Sequence, residues 1–174
     1  MNSKMAGWVM ILSVVSLAWA HEHPMPAASS KEFNFVKQLA GHWKGTADHM
    51  GSGQKAEPVE TDFKVTSMGS AVLERLMPNT DGEMIDMYSD EGGTLTMVHY
   101  CAMGNQPHMR LKSAGANKVS LEMGPTSGIN VAKDVHMHAL KLELVDANHL
   151  IQRWTNYKDG KPEETAVFTF TRSK

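Results

Sequence analysis

The sequence predicts an all-β fold: an antiparallel up-and-down β-barrel of about nine or ten strands, preceded by a short helix. Three observations lead to this fold class. Apolar and polar residues alternate over short segments, turn-forming residues recur at roughly ten-residue intervals, and no helical apolar period separates the segments. Strands without helices between them pair antiparallel with their neighbours in sequence. A β-sandwich is the rival architecture.

The N-terminus has the pattern of a secretory signal peptide over residues 1–20. Lys4 precedes a short apolar run, and Ala18 and Ala20 form a small-x-small cleavage site. Residues 21–30 then form a flexible leader and residues 31–174 form the barrel domain. We therefore expect a periplasmic or secreted protein. The apolar run is shorter than the roughly 20 residues that span a bilayer, so no stable membrane anchor is expected.

A short helix is expected directly before the first strand. Ser29 and Glu32 have the spacing of a capping box, and Phe33, Val36 and Leu39 recur on one helical face. A glycine at position 41 ends this pattern, which limits the helix to a short element.

The strands are expected where apolar residues occupy every second position. This alternation is clearest at 61–65, 95–97, 140–144 and 168–170. Turn signals separate the segments, for example at 79–82, 91–93 and 159–160. The stretch 125–134 interrupts this rhythm and is expected to be an extended connection or a lid. Because a meander leaves two free edges, we expect the sheet to close into a barrel that encloses one small ligand.

Composition and charge narrow the class of partner. The chain has 17 Lys and Arg against 19 Asp and Glu, a formal net charge of −2, and its basic residues are scattered. It lacks the basic stripe that neutralises phosphates, so no nucleic-acid partner is expected. The expected partner is a small-molecule ligand, bound by a monomer or a weak dimer. Since Cys101 is the single cysteine, no intramolecular disulfide forms.

Several features resemble the lipocalin-like, or calycin, barrels: the short helix, a Gly-x-Trp motif at Gly41 and Trp43, and a late basic residue, Arg172. The resemblance implies structural roles, in which the Trp closes one barrel end and the guanidinium covers its indole in a cation–π contact. The segment 41–45 is also similar to the opening of nitrobindin-type haem barrels. The segments 99–107 and 136–138 resemble an uncharacterised exported bacterial family.

Alternation along the predicted strands places chemically distinctive side chains on the interior face. This set combines imidazole, thiol and indole groups. Its members are His99, Cys101, His136, His138 and Trp154. We expect them to line the cavity and to contact a partly apolar ligand. A one-residue bulge would reverse the parity of any of these strands.

Two other interpretations of these residues stay open. Core histidines can be purely structural, and imidazoles with a thiolate also bind Zn(II), copper or haem iron. His136 and His138 stand two residues apart, which places their side chains roughly 7 Å apart and argues against one shared metal ion. Glu74 lies between two apolar positions of the same parity. A buried carboxylate there needs a partner such as Arg110.

A second candidate site lies at the expected mature N-terminus. Cleavage after position 20 exposes His21, Glu22 and His23, whose amine, amides and second imidazole form a square-planar set suited to Cu(II) or Ni(II). The alternative function is therefore periplasmic metal handling or haem binding, with copper or haem as the cofactor. Adventitious copper binding by a disordered leader explains the same residues.

No catalytic residue is assigned. The sequence contains no Gly-x-Ser-x-Gly, no His-Glu-x-x-His and no phosphate-binding glycine loop. By spacing alone, His99 and Cys101 lack a group that would orient the imidazole as a base. An enzyme of unknown type is the third alternative.

Overall fold

A computed structural model describes residues 29–50, 56–126 and 128–173 of the protein. In this part of the chain a short helix precedes ten strands, and a 3-10 turn at Ser67–Gly69 separates the second and third strands. The elements are α1 Lys31–Lys37, β1 Gly41–Met50, β2 Glu57–Thr66, β3 Ala71–Leu76, β4 Met84–Asp90, β5 Leu95–Tyr100, β6 His108–Gly115, β7 Lys118–Met123, β8 His136–Asp146, β9 His149–Lys158 and β10 Lys161–Arg172.

The ten strands close into one antiparallel barrel. Each strand pairs with the next in sequence, and β10 returns to pair with β1 in a register that sets Trp43 opposite Arg172. The two closing strands approach closely at Gly45, where an added Cβ would lie 1.9 Å from the carbonyl oxygen of Thr169. Closure removes the free sheet edges. The predicted fold class is confirmed, and the rival sandwich is excluded.

The helix α1 covers one end of the barrel. Its N-cap is Ser30, whose hydroxyl accepts a hydrogen bond from the Phe33 N–H, and not Ser29 as the capping-box spacing suggests. The N–H of Ser30 also donates to the Asp90 carboxylate at 2.6 Å, which ties the helix to the end of β4. Phe33, Val36 and Leu39 are buried, because this face of the helix packs on the barrel interior.

Trp43 and Arg172 complete the closure of that end. The buried indole donates from Nε1 to the carbonyl of Leu39 at 2.8 Å, and the Arg172 guanidinium lies 4.0 Å from the indole centroid. The same guanidinium donates to the carbonyl of Ala40 at 2.6 Å. Gly41 has a φ of 133°, and a Cβ there would lie 3.0 Å from the guanidinium. Only glycine suits this position, because it has no Cβ and tolerates positive φ.

Alternate residues of the strands fill the interior. Apolar side chains such as Val72, Leu150 and Phe170 are fully buried. Between β7 and β8, the described residues contain no strand, which agrees with the irregular stretch predicted at 125–134. Among the residues that the structure describes, no helix is long and apolar enough to cross a bilayer.

Candidate functional site

The barrel contains a cavity at the end opposite to α1, which we term the mouth cavity. Its volume is about 170 Å³, smaller than the roughly 300–1,000 Å³ typical of pockets for drug-sized ligands. Most of its lining is apolar. The lining residues are Ala47, Glu57, Pro58, Val59, Leu76, Met77, Met84, His99, Met137, Trp154, Ala166 and Phe168. The residues Glu57, Pro58, Val59 and Met77 also border a wider hollow of about 620 Å³ outside the mouth.

His99 is a buried polar side chain in the lining of the mouth cavity. Its side chain is 1% exposed, and a hydrogen bond of 2.7 Å joins its Nδ1 to Oδ1 of Asp86, its register partner on β4. Its Nε2 is buried and has no hydrogen-bond partner. The imidazole also packs against the Trp154 indole at a centroid distance of 4.6 Å. Because the carboxylate holds one ring nitrogen, the other nitrogen is available to a ligand or to the neighbouring Cys101 thiol, which interacts with the His99 side chain.

Burial and the Asp86 carboxylate act on the pKa of His99 in opposite directions. Burial lowers this pKa, but the charge and the hydrogen bond of Asp86, followed by the interaction with Cys101, outweigh burial and raise it to about 10. Burial also raises the pKa of Asp86, against the opposing influence of His99. The two groups titrate as a pair, so at neutral pH the pair keeps the proton that a solvated histidine near pH 7 would lose.

A second buried carboxyl, Glu74, lies beside Asp86 across the β3–β4 register. Its Oε1 accepts hydrogen bonds from the Thr61 hydroxyl at 2.8 Å and from the Gln152 amide at 2.6 Å, and its Oε2 contacts the Tyr88 hydroxyl at 2.8 Å. Burial, followed by the charge of Asp86, raises the pKa of Glu74 to about 8. Glu74 is therefore mostly protonated and uncharged at neutral pH.

The expectation that Arg110 neutralises Glu74 is wrong. Arg110 lies on the surface, 3.4 Å from Glu91, and the side chains around Glu74 are uncharged donors. One of these donors, Gln152, also accepts a hydrogen bond from the Trp154 indole at 3.1 Å. The buried network therefore reaches the mouth cavity and holds Trp154 in place.

Cys101 lies just beyond the end of β5 and is buried without a disulfide partner. Burial raises the pKa of its thiol, but His99 and the backbone N–H of Met103 outweigh burial, so the pKa is lowered. Cys101 does not belong to the lining of the mouth cavity. Its contact with a ligand stays a prediction.

A bulge in β8 between Met137 and Ala139 changes the predicted parity of this strand. As a result Met137 lines the mouth cavity, whereas His136 and His138 do not. The His138 ring instead stacks on Tyr157 at 3.8 Å. His136 is fully buried, as its predicted inward position requires, but neither imidazole belongs to the cavity lining, and their contact with a ligand stays a prediction.

The same bulge brings His136 and His138 together. Their rings are 5.4 Å apart, closer than the roughly 7 Å expected for a regular strand. A hydrogen bond of 3.1 Å joins Nε2 of His136 to Nδ1 of His138, and Nδ1 of His136 lies 2.8 Å from the carbonyl oxygen of Asp134. Both nitrogens of His136 are thus occupied. Within the described ranges, no group of three His, Cys, Asp or Glu side chains is placed to hold a metal ion.

The remaining predicted ligands belong to the N-terminus. His21, Glu22 and His23, the expected copper ligands, lie outside the described residues, as do the signal peptide and all but the last two residues of the leader. Copper binding at this terminus stays a prediction.

Asp86 is the site residue that sequence reasoning missed, and the expectation that no group orients the His99 imidazole is therefore wrong. It stands between Met84 and Tyr88 at a position of interior parity, so its burial was readable from the alternation of β4. Its pairing with His99 was not readable, because that contact depends on the β4–β5 register.

Comparison with solved structures identifies the same fold in other proteins. The Rv2717c protein from M. tuberculosis superposes with a TM-score of 0.54 over 84% of this chain and 100% of its own, at 13% identity. A protein of unknown function from the DUF3598 family of Nostoc punctiforme superposes with a TM-score of 0.53, at 11% identity. That match covers 79% of this chain, which spans about half (49%) of the Nostoc protein. No family model and no curated protein matches the sequence.

Proposed function

We propose that the protein binds one small, partly apolar molecule non-covalently in the mouth cavity. The observation that carries the proposal is the unpartnered Nε2 of His99 on the wall of an otherwise apolar cavity. A buried polar atom without a partner costs about 1–3 kcal/mol. A ligand that supplies this partner and also fills the apolar space therefore gains from both contacts.

The polar wall of the cavity supports this proposal because it is held rigidly. Asp86 fixes the ring of His99, and Gln152 fixes the ring of Trp154. The four residues lie on paired strands of the closed barrel. A wall that is already ordered loses little conformational entropy when a ligand arrives, which favours affinity.

Native mass spectrometry of the protein purified from its own cells tests this function. Ala166→Leu adds a larger side chain inside the mouth cavity, while Ala116→Leu makes the same change at an exposed position of the turn between β6 and β7. We expect a bound mass in the wild type and in Ala116→Leu, and its loss from Ala166→Leu. Retention of that mass by Ala166→Leu, or a wild type without any bound mass, contradicts the proposal.

Haem is a second candidate ligand. The hydrogen bond between Asp86 and His99 favours it, because metal-bound histidines usually donate their other N–H to a carboxylate. His99 would then supply the axial nitrogen of the iron. The donor fits, but a cavity of about 170 Å³ does not fit a macrocycle, so haem is the weaker candidate. A Soret band on haem addition that His99→Leu abolishes, and exposed His149→Leu retains, would reverse this ranking.

We further propose that the protein acts outside the cytoplasm, in the periplasm or the medium. The support is the sequence pattern of residues 1–20. N-terminal sequencing of the native protein is expected to find His21 as the first residue. Detection of residues 1–20 on the native protein would refute export by cleavage.

The copper alternative depends on the same cleavage. A free amine at His21 would let the mature terminus chelate Cu(II). One tight Cu(II) equivalent, lost when a residue is added ahead of His21, would support it. Unchanged binding after this addition would refute it.

A further inference from the structure

We propose that the mouth cavity selects an uncharged molecule that carries a hydrogen-bond acceptor, such as a carbonyl or ether oxygen, on an apolar body, and rejects carboxylates of the same size. This inference rests on the proposed function and names its ligand class. It follows from the unpartnered Nε2 of His99, a residue that lines the cavity, and from the charges that surround this side chain.

The free nitrogen of His99 carries a hydrogen in two electroneutral states of its pair with Asp86. In the ion pair, the imidazolium has a hydrogen on each nitrogen. In the neutral pair whose carboxylic acid donates to Nδ1, the ring hydrogen is on Nε2. An anionic pair, or a neutral pair with the acid hydrogen on Oδ2 of Asp86, leaves Nε2 unprotonated. Burial disfavours the first because its charge is uncompensated, and the second because Oδ2 has no hydrogen-bond partner. The raised pKa of His99, about 10, agrees with an Nε2–H donor at neutral pH.

Among the residues that the structure describes, no Lys or Arg side chain is buried, so no uncompensated positive charge is available to balance an anionic ligand. Asp86 and His99 together are neutral, and Glu74 beside them is surrounded by uncharged donors. Deprotonation of Cys101 would add negative charge and not positive charge. A buried carboxylate ligand would therefore be uncompensated, which costs far more than burying a neutral carbonyl.

The charge at the rim of the mouth cavity also disfavours an anionic ligand. The ionisable side chains in its lining are His99 and Glu57, and Glu57 is exposed and acidic. An acidic rim repels an approaching anion. The rest of the lining is mostly apolar and includes Leu76, Met84 and Phe168. Burial of a hydrocarbon group against these side chains is therefore favourable.

Three probes of similar ring size separate these requirements: cyclohexanone, cyclohexanecarboxylate and methylcyclohexane. Titrations followed by NMR give the affinity of each probe for the wild-type protein at neutral pH. We expect cyclohexanone to bind tightest of the three. A hydrogen bond from a charged donor contributes about 1.5–3 kcal/mol, so methylcyclohexane should bind about 10- to 100-fold more weakly. The carboxylate should bind more weakly still.

A double variant tests whether the Asp86–His99 pair causes this preference. Removing His99 alone would leave a buried carboxylate unpaired, so His99→Leu is combined with Asp86→Leu, which keeps the interior apolar and filled. We expect this variant to bind methylcyclohexane more tightly than cyclohexanone, because the buried carbonyl of the ketone then has no hydrogen-bond partner. The nitrogen-15 spectrum of the wild-type imidazole, which requires no variant, should show a hydrogen on Nε2.

The outcomes distinguish this inference from the proposed function. Three results would overturn the ligand class and leave the binding function standing. The wild type could bind the carboxylate as tightly as the ketone, it could bind ketone and hydrocarbon equally, or its Nε2 could be unprotonated. If no probe binds and native protein carries no bound mass, the binding function itself fails.

Discussion

Replacing Glu74 by glutamine should remove an unusual dependence of stability on pH. Glu74 is fully buried, and its pKa is about 8 in the folded barrel against 4.5 for an ordinary glutamate. Between these values the folded protein holds a proton that the unfolded chain has released. The stabilisation is complete below about pH 4.5 and is lost as the pH rises through about 8.

The size of this effect follows from proton linkage. One extra bound proton in the folded state lowers the free energy of unfolding by about 1.4 kcal/mol for each unit of rising pH. Over the whole window the upper limit is about 5 kcal/mol. His99 acts in the same direction between about pH 6.5 and 10, because its pKa is also raised in the folded state. The wild type is therefore expected to lose stability steadily from mildly acidic to mildly basic pH.

Urea unfolding of the wild type and of Glu74→Gln, at several pH values from about 5 to about 9, measures this effect. The amide of Glu74→Gln keeps the shape of the protonated acid but cannot ionise. We expect similar stability at the acidic end, and a difference in favour of Glu74→Gln that grows by up to about 1.4 kcal/mol per pH unit. Glu143→Gln, on a half-exposed side chain of β8, is the matched control and should follow the wild type.

The same pH slope in Glu74→Gln and in the wild type would refute the reasoning. It would mean that Glu74 is ionised in the folded barrel, or that the proton is held elsewhere. A fall in the stability of Glu74→Gln with rising pH that is steeper than that of the wild type would contradict the sign of the argument.

Substitutions at three further positions test how the barrel closes and packs. Gly45→Ala should abolish the folded circular dichroism spectrum, because the added Cβ meets the Thr169 carbonyl at 1.9 Å; a native spectrum would contradict this packing. Arg172→Ala should lower the free energy of urea unfolding by about 2 kcal/mol, since the cation–π contact with Trp43 is lost; Arg172→Lys should lower it less. Leu142→Ala should cost about 2–5 kcal/mol, measured the same way, and a cost below 1 kcal/mol would contradict its full burial.

The fold was predictable from the sequence because burial on one side of a strand imposes a two-residue period. Leu95 and Met97 on β5, and Leu140 and Leu142 on β8, show this period and are all buried. Closely spaced turns fix the order of the strands, and free edges favour closure. The helix cap was missed by one residue, because Ser29 and Ser30 are adjacent and only the Ser30 hydroxyl meets the Phe33 N–H.

The candidate site was predictable only in part. The parity of β5 and β9 placed His99 and Trp154 inside, where the structure has them. Two features lay beyond sequence alternation: the β4–β5 register that sets Asp86 opposite His99, and the β8 bulge after Met137. Register and bulges depend on how neighbouring strands align, and a pattern within one strand does not contain that information.

That bulge decides which chemistry the mouth cavity offers. With regular alternation, His136 and His138 would face the same space as His99, and three imidazoles would favour a metal ion. The extra residue instead places Met137 in the cavity lining, and the two imidazoles form a hydrogen bond with each other. Of the described residues, His99 then supplies the one imidazole in the lining, with one nitrogen held by Asp86 and the other without a hydrogen-bond partner. A cavity with one donor and apolar walls favours a ligand with one acceptor. For this reason the titration with the three organic probes tests the function of the cavity more directly than a metal titration does.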